Sequence, residues 1–431
     1  MLVEHVGAAE PIAFSEVTAA QELVQPLLGM YAHAAAFGDV NGDGWQDLFV
    51  GTFADYPEAD YQKRGASGAS PDKLLLGGPG GFSADTSFPG THGRTTSSVF
   101  ADLDNDGDAD LVIGRHTLAG STRSAAPSVL LRNDGGKFAP GVPLPAVHRG
   151  RAATPLDYDG DGLLDLFVTD DWFFGGGASV LLRNKGGLVF ENVTAAAGVS
   201  GIQGFAASPA DLTGDGWPDL VVTGTTVHAE ASTPAARLFV NKHDGSFREA
   251  PNADFTWTTY ASEDDPTGVG VGDLNRDGRP DLVIGQHFQS TLQRGTRAPI
   301  HAYLNEGLDN AGNPRFRDIT EIAGLPALAT KSPEAQIADF DNDGWPDILT
   351  TASSADGTRP TVFRNQGLVD GVPRFSSPAG LGNPQYWVNS AVADVDRDGR
   401  LDVFATDFDP NRPSLLFHND GATGGHWLDV I

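Results

Sequence analysis

The chain of 431 residues contains no cysteine, so it has neither a disulfide framework nor thiolate chemistry. Positive charge is scarce: 28 Lys and Arg stand against 57 Asp and Glu, a formal net charge of −29. A surface of that sign repels nucleic-acid phosphates, so no nucleic acid partner is expected. No segment approaches the eighteen or so consecutive apolar residues of a membrane span, and no membrane insertion is expected. The opening stretch, Met1 to Glu10, lacks the basic and apolar regions of a signal peptide. Sustained helical periodicity is missing as well; only brief stretches such as Thr194–Ala197 have the pattern of a helical turn. No nucleophile elbow, phosphate loop, zinc motif or flavin motif is present, which weakens hydrolase and cofactor-enzyme readings.

What the chain does have is a repeat. The pattern Asp-x-[Asp/Asn/Thr]-x-Asp-Gly-x-x-Asp begins at Asp39, Asp102, Asp157, Asp211, Asp273, Asp339 and Asp394, at intervals of 63, 55, 54, 62, 66 and 55 residues. Each copy runs into a β-branched strand, such as Leu48-Phe-Val or Leu111-Val-Ile. A third strand follows with a recurring ending, as in Leu130-Leu-Arg-Asn133 and Leu181-Leu-Arg-Asn184. An aromatic then opens a fourth strand, at Phe82, Phe138, Phe190, Phe247, Phe316 and Phe375. Four short strands per period is the signature of a propeller blade. The seventh unit lacks its fourth strand after Asn419, whereas Phe14-Ser-Glu-Val-Thr18 at the other end has the missing form. The expectation is an all-β, seven-bladed β-propeller spanning residues 1–431 as one domain, closed by its N-terminal strand. Insertions at Asp55–Asp72 and Gln289–Pro299 read as flexible surface loops in preference to substrate lids. Asn192-Val-Thr194 matches a glycosylation acceptor but falls on a repeated strand opening.

The repeated loops, at 39–47, 102–110, 157–165, 211–219, 273–281, 339–347 and 394–402, place oxygen donors at fixed positions. Position 1 is Asp39, Asp102, Asp157, Asp211, Asp273, Asp339 or Asp394; position 3 is Asn41, Asp104, Asp159, Thr213, Asn275, Asp341 or Asp396. Position 5 is Asp43, Asp106, Asp161, Asp215, Asp277, Asp343 or Asp398; position 9 is Asp47, Asp110, Asp165, Asp219, Asp281, Asp347 or Asp402. Position 7 is expected to offer its backbone carbonyl, from Trp45, Asp108, Leu163, Trp217, Arg279, Trp345 or Arg400. Carboxylate-rich oxygen coordination selects hard cations, and the irregular donor mix suits Ca²⁺ over octahedral Mg²⁺. An EF-hand would need a Glu at position 12 and flanking helices; these loops end at position 9 and enter strands. Calcium, up to seven ions and mainly structural, is therefore the expected cofactor. The repeats hold 26 of the 57 acidic residues, so seven divalent ions would leave a charge of about −15. Position 3 is expected to grade the sites, the Thr213 site being weakest. Loops of this kind suit calcium-rich extracellular fluid, so a secreted or periplasmic protein is expected, its leader being absent from this sequence.

The loops with their Asp-Leu-[Val/Phe] strands, and the Leu-Leu-Arg-Asn … Phe-x-x-Val-Thr-x-x-Ala-Gly segments, resemble the FG-GAP/VCBS repeat family of integrin α-like propellers. Phe190-Glu-Asn-Val-Thr-Ala-Ala-Ala-Gly198 and Gly424-Gly-His426-Trp-Leu-Asp-Val-Ile431 look most like its CRTAC1/ASPIC-UnbV branch. In that branch a similar His-Trp-Leu opens a small C-terminal domain. The resemblance implies a secreted adhesion or binding protein.

If each loop joins first strand to second, the far ends of those strands meet on the opposite face around the axis. The strand starts there include His33, His92, Arg94, His148, Arg149, Arg151, Gln203, Asp265, Glu334 and Asn389. The strand ends include Phe53, Arg115, His116, Asp170, Asp171, Trp172, His228, Gln286, His287, Asp407 and Asp409. Two readings follow. A binding propeller, expected to be a monomer, would take a glycan, peptide or small-molecule ligand through His33, His92, His148, Arg151, Asp170, Trp172, Glu334 and Asp407. Trp172 would stack on the ligand or cover the channel. An enzyme of lyase, isomerase or cyclase type would use His116 or His287 as acid or base, Asp171 to orient a His, and Arg94 or Arg115 to stabilise an anion.

Overall fold

The computed structural model describes residues 12–116, 126–170, 177–224, 236–250, 266–286, 300–326, 334–350, 361–376, 379–382, 387–407 and 413–421. They form seven four-stranded antiparallel sheets in chain order, the blades of a β-propeller. In the first blade, Ala32–Gly38 pairs with Asp47–Thr52, then Lys73–Leu76 and Ser83–Ala84 follow outward. The N-terminal strand Phe14–Glu16 is the fourth strand of the seventh blade, with Phe14 opposite Asn419.

The second strands read as unbroken apolar runs because each is covered on both faces by neighbouring blades. Successive side chains leave a strand on opposite sides. Leu48 and Val50 therefore pack with Ala391, Ala393 and Phe404 of blade seven, while Phe49 packs with Leu111 and Ile113 of blade two. Likewise Leu220 and Val222 join Phe167 and Leu181 of blade three, and Val221 joins Leu282 and Ile284 of blade five. Each fully buried Phe, such as Phe49, Phe167, Phe239 and Phe404, contributes roughly 2–3 kcal/mol. The shared core of blades seven and one closes the ring.

Three details differ from the expectation. Phe138 lies ahead of the fourth strand of blade two, which is Val142–Pro143. Phe375 does not open the fourth strand of blade six: it ends a separate hairpin, Asn365–Val369 with Val372–Phe375, and the fourth strand is Ala379–Gly380. Gly367 and Gly371, both at positive φ, let the chain turn there before it rejoins the sheet. The insertion after Asp55 is also a packed cap. It carries a short helix, Glu58–Lys63, whose buried Tyr61 donates its hydroxyl to the Phe53 carbonyl at 2.9 Å. Arg64 stacks over Tyr31 at 4.6 Å and donates to the Met30 carbonyl at 2.7 Å. Apolar rings spaced through the insertion give it a small core of its own, with Tyr31 and Phe53 beneath. The second insertion lies outside the described residues.

Candidate functional site

Each repeated loop is held by its own carboxylates. The position-1 Asp accepts the N–H of position 5 on one oxygen and that of the glycine at position 6 on the other, as Asp39 does from Asp43 at 3.1 Å and Gly44 at 2.8 Å. The position-5 carboxylate accepts the N–H of position 7, as Asp43 does from Trp45 at 2.8 Å. Position 6 is left-handed in all seven loops, and so is position 4, where Asn105, Arg276, Asn342 and Arg397 adopt φ between 54° and 63°. The position-9 Asp is buried throughout. It accepts the N–H of position 2 and an N–H from the third strand, as Asp165 does from Tyr158 at 3.2 Å and Asn184 at 2.7 Å. Burial pushes Asp47, Asp110 and Asp219 up to about 6, Asp165 and Asp281 to about 7, and Asp347 to about 8.

Position 3 behaves differently. One oxygen of Asp104, Asp159 and Asp396 is buried with no hydrogen-bond partner, an expensive state for a carboxylate unless a cation takes it up. Three donors lie within 4.8 Å of one another in four loops: Asp102, Asp104 and Asp106; Asp157, Asp159 and Asp165; Asp339, Asp341 and Asp347; Asp394, Asp396 and Asp402. The donors present therefore fit a hard cation. The seventh loop adds an imidazole, His418 Nε2 lying 3.1 Å from both Asp396 and Asp398.

The third strands supply two side chains that sequence reading treated only as a repeat marker. One is an asparagine that joins blades. Asn133 donates its amide to the carbonyl of Val40 at 2.8 Å, Asn184 to Leu103 at 2.6 Å, and Asn241 to Tyr158 at 2.9 Å. Asn305, Asn365 and Asn419 do the same to Leu212, Leu274 and Phe340. Each acceptor is position 2 of the preceding blade's loop. The other is the basic residue before it: Arg183 bridges Asp159 at 2.7 Å and Asp161 at 3.0 Å, and Arg132 and Arg364 make equivalent pairs.

On the opposite face, four first strands carry a β-bulge, falling between Ala32 and Ala34, Thr95 and Ser97, Pro266 and Val269, and Trp387 and Ser390. A bulge re-aims a side chain, and the bulged residues here line the axis. A cavity of about 100 Å³ is lined by all seven blades, through His33, Thr96, Arg151, Phe205, Thr267, Glu334 and Asn389 among others. His33 stacks on Phe53 at 4.6 Å, and burial, with Arg151 and Arg94 nearby, holds its imidazole well below the usual value. Burial pushes Glu334 up to about 7, although it accepts the Ser390 N–H at 2.9 Å. Arg151 lies over the Phe205 ring at 3.9 Å. A larger cavity of about 330 Å³, mainly apolar, sits at the closure seam between Val24, Leu27, Leu28, Arg64 and Pro413.

Of the residues chosen from sequence, His33, Arg151 and Glu334 thus share the axial cavity with Asn389. Thr96, Phe205 and Thr267 were missed. Arg94 pairs with Asp55, its Nη1 lying 3.0 Å from both carboxylate oxygens. Arg115, 2% exposed, is bonded to Asp72 at 2.9 Å. His116 is buried, its backbone N–H donating to the Arg94 carbonyl at 2.9 Å. Asp170 and Asp407 are buried at strand ends, where Ser179 and Ser414 hydroxyls accept their N–H groups. His148 is exposed, as is His92, whose Nε2 lies 3.3 Å from the Ala69 carbonyl oxygen. Asp171, Trp172, His228, Asp265, His287 and Asp409 lie outside the described residues.

Comparison with known proteins agrees with this architecture. The FG-GAP-like repeat matches residues 157–222, 229–284 and 339–405, and the FG-GAP repeat matches 31–67. The chain belongs to the FG-GAP repeat family. It is 26% identical to human (Homo sapiens) cartilage acidic protein 1 over 306 residues, which is 65% of this chain and 41% of that protein. It is also 31% identical to integrin alpha-4 of Xenopus laevis over 144 residues, 31% of this chain and 13% of that one. The chain therefore spans less than half the length of these curated relatives. Among solved structures, BBS1N in complex with ARL6DN superposes with a TM-score of 0.52 at 12% identity, covering 93% of this chain and 96% of that one. That is a likeness of fold.

Proposed function

We infer that this FG-GAP propeller is a calcium-stabilised, secreted binding protein whose ligand enters the axial cavity on the face opposite the loops. The observation that carries the reading is the convergence of side chains from every blade on one cavity, four of them aimed there by bulges. A cavity of about 100 Å³ is too small for a whole drug-sized ligand. It suits one polar group, such as the end of a glycan, a peptide terminus or a small polar molecule, held between Arg151 and Glu334. The integrin and cartilage acidic protein relatives support a ligand-binding role in general. Calcium would be held by positions 1, 3, 5 and 9 of the loops, and it would supply charge neutralisation rather than chemistry. The same loops, working best where calcium is plentiful, support a secreted location.

Screening the purified protein against glycan, peptide and metabolite collections tests the reading. Arg151→Ala and Glu334→Gln are expected to weaken any hit at least tenfold without unfolding the chain. A hit untouched by both substitutions would place recognition elsewhere. A second reading, acid–base catalysis, draws on Glu334, whose carboxyl titrates near neutrality. It would show as turnover of the bound ligand that is lost in Glu334→Gln.

A further inference from the structure

Loop position 3 and the third-strand residue before the asparagine vary together. Where position 3 is Asp104, Asp159, Asp341 or Asp396, that strand residue is Arg132, Arg183, Arg364 or His418. Where position 3 is Asn41, Thr213 or Asn275, it is Leu76, Val240 or Leu304. The alignment does not rest on sequence alone. In every blade the next residue donates its N–H to the position-9 carboxylate, from Gly77 to Asp47 at 2.9 Å and from Asn305 to Asp281 at 2.8 Å, for example. All seven blades obey the rule, so a carboxylate is added only where a basic side chain is added beside it.

The geometry explains the pairing. Each basic side chain reaches Oδ2 of the position-3 Asp and Oδ2 of the position-5 Asp, as Arg183 does at 2.7 and 3.0 Å and His418 at 3.1 and 3.1 Å. Oδ1 of Asp104, Asp159 and Asp396 remains buried without a hydrogen-bond partner. The pairing thus fixes the carboxylate through one oxygen and leaves the other for an ion. Positions 1, 3, 5 and 9 carry three carboxylates and no strand cation in blades one, four and five. In blades two, three and six they carry four carboxylates and one arginine, and in blade seven four carboxylates and the His418 imidazole. The acid added at position 3 is thus met by a basic side chain wherever it occurs.

We propose that Arg132, Arg183 and Arg364 are built-in counter-cations, positioning residues that hold the position-3 carboxylate and balance its charge before calcium arrives, and that His418 holds Asp396 from the same place in blade seven. This builds on the calcium reading and replaces one expectation drawn from it. Position 3 does not grade the sites by charge, so the Thr213 loop is not set apart as the weakest. An isolated ion pair as exposed as Arg132 stabilises little; these pairs matter because the carboxylate they hold is otherwise repelled by its neighbours in the ion-free loop.

A double-mutant cycle on the whole chain tests it, with melting temperature read in chelator and in excess calcium. Arg183→Leu is expected to lower Tm by a few degrees in chelator and by much less in calcium, which widens the calcium-induced shift. Adding Asp159→Asn recreates the Asn/Leu pairs of blades one and five, and should restore the chelator Tm to near wild type. Equal losses in both conditions, or a double variant as unstable in chelator as Arg183→Leu alone, would overturn the proposal. If wild type shows no calcium shift, the calcium reading fails, and the cycle in chelator still decides the pairing. Should Arg183→Leu fail to fold, Arg132→Leu with Asp104→Asn repeats the cycle at a more exposed arginine, where little packing is lost.

Discussion

The asparagines that join the blades make a prediction with a calculable size. Asn184 donates from Nδ2 to the Leu103 carbonyl of the preceding blade at 2.6 Å and to the Leu164 carbonyl at 3.0 Å. Its Oδ1 accepts the Gly186 N–H at 3.0 Å. Asn184→Ala removes all three bonds, yet spares the backbone N–H to Asp165. A buried hydrogen bond contributes about 1 kcal/mol net, and an acceptor left unsatisfied costs about 1–3 kcal/mol. The expected loss is therefore about 3 kcal/mol. Unfolding entropy of about 2.1 cal/mol/K per residue over 431 residues turns that into a fall in Tm of about 3 °C. Asn184→Asp discriminates packing from bonding. It keeps the shape but turns the donor into an anion facing the Leu103 carbonyl beside Asp165, so it should be worse than alanine. Thermal and urea unfolding in excess calcium would show both. If Asn184→Asp unfolds like wild type, the side chain is not joining the blades and the argument is wrong.

Chelation should lower Tm by several degrees, since one site held at a hundred times its dissociation constant stabilises by about 2.7 kcal/mol; no shift would refute structural calcium. Glu334 has a folded pKa raised to about 7 by burial, above its unfolded value of about 4.3. Ionisation is thus disfavoured by folding, and its contribution to stability falls as pH rises between those values. Glu334→Gln should remove that fall, and melts in calcium at pH 5 and pH 8 that show the same pH dependence in variant and wild type would disprove it. Arg115→Met leaves the buried Asp72 carboxylate without the cation it holds at 2.9 Å, a loss of about 3–5 kcal/mol. Adding Asp72→Asn should recover much of it in denaturant melts.

The fold was legible because its signal is repeated. Seven loops at near-constant spacing, each entering an apolar run, specify hairpins, and the displaced Phe14–Glu16 strand specifies closure. The axial site was half legible. His33, Arg151 and Glu334 stand out as polar residues at strand starts, whereas Thr96, Phe205 and Thr267 look unremarkable there. For Thr96 and Thr267 the signal lay in the partner strand. Asp47–Thr52, Asp110–Arg115 and Asp281–Gln286 contain an extra glycine, Gly51, Gly114 or Gly285, next to the bulge, and blade seven has Ala405 there. A Cβ at Gly114 would fall 2.1 Å from Ser97 Oγ, so the bulged strand leaves no room for one. The bonding of Arg94 and Arg115 was not legible, because Asp55 and Asp72 sit in an insertion whose path no periodicity constrains. The position-3 pairing was present in the sequence all along. Position 3 and the third strand are about twenty to thirty residues apart, and only the fold shows that they touch.

The joint between blades seven and one is built by different means from the other six. Every other joint has an asparagine; this one has Gly77, where a Cβ would come within 2.2 Å of the Gln46 carbonyl oxygen. No side chain fits, so the amide cannot be replaced like for like. Other contacts take its place. The Arg64 guanidinium of the packed insertion donates both to the Met30 carbonyl at 2.7 Å and to the Asp407 carbonyl at 3.2 Å. As at every other joint, the chain itself also spans the two blades. The chain leaves the outer strand of blade seven at Glu16 and reaches the first strand of blade one at Ala32, holding to both on the way. Val17 donates to the Leu416 carbonyl at 2.9 Å, and the Gln21 carbonyl accepts the Phe82 N–H at 3.0 Å. A covalent tether makes the last docking step intramolecular, which raises its effective concentration far above that of a free strand. What sets this joint apart is the glycine at the asparagine position and the Arg64 bonds of the packed insertion, not the chain that spans it.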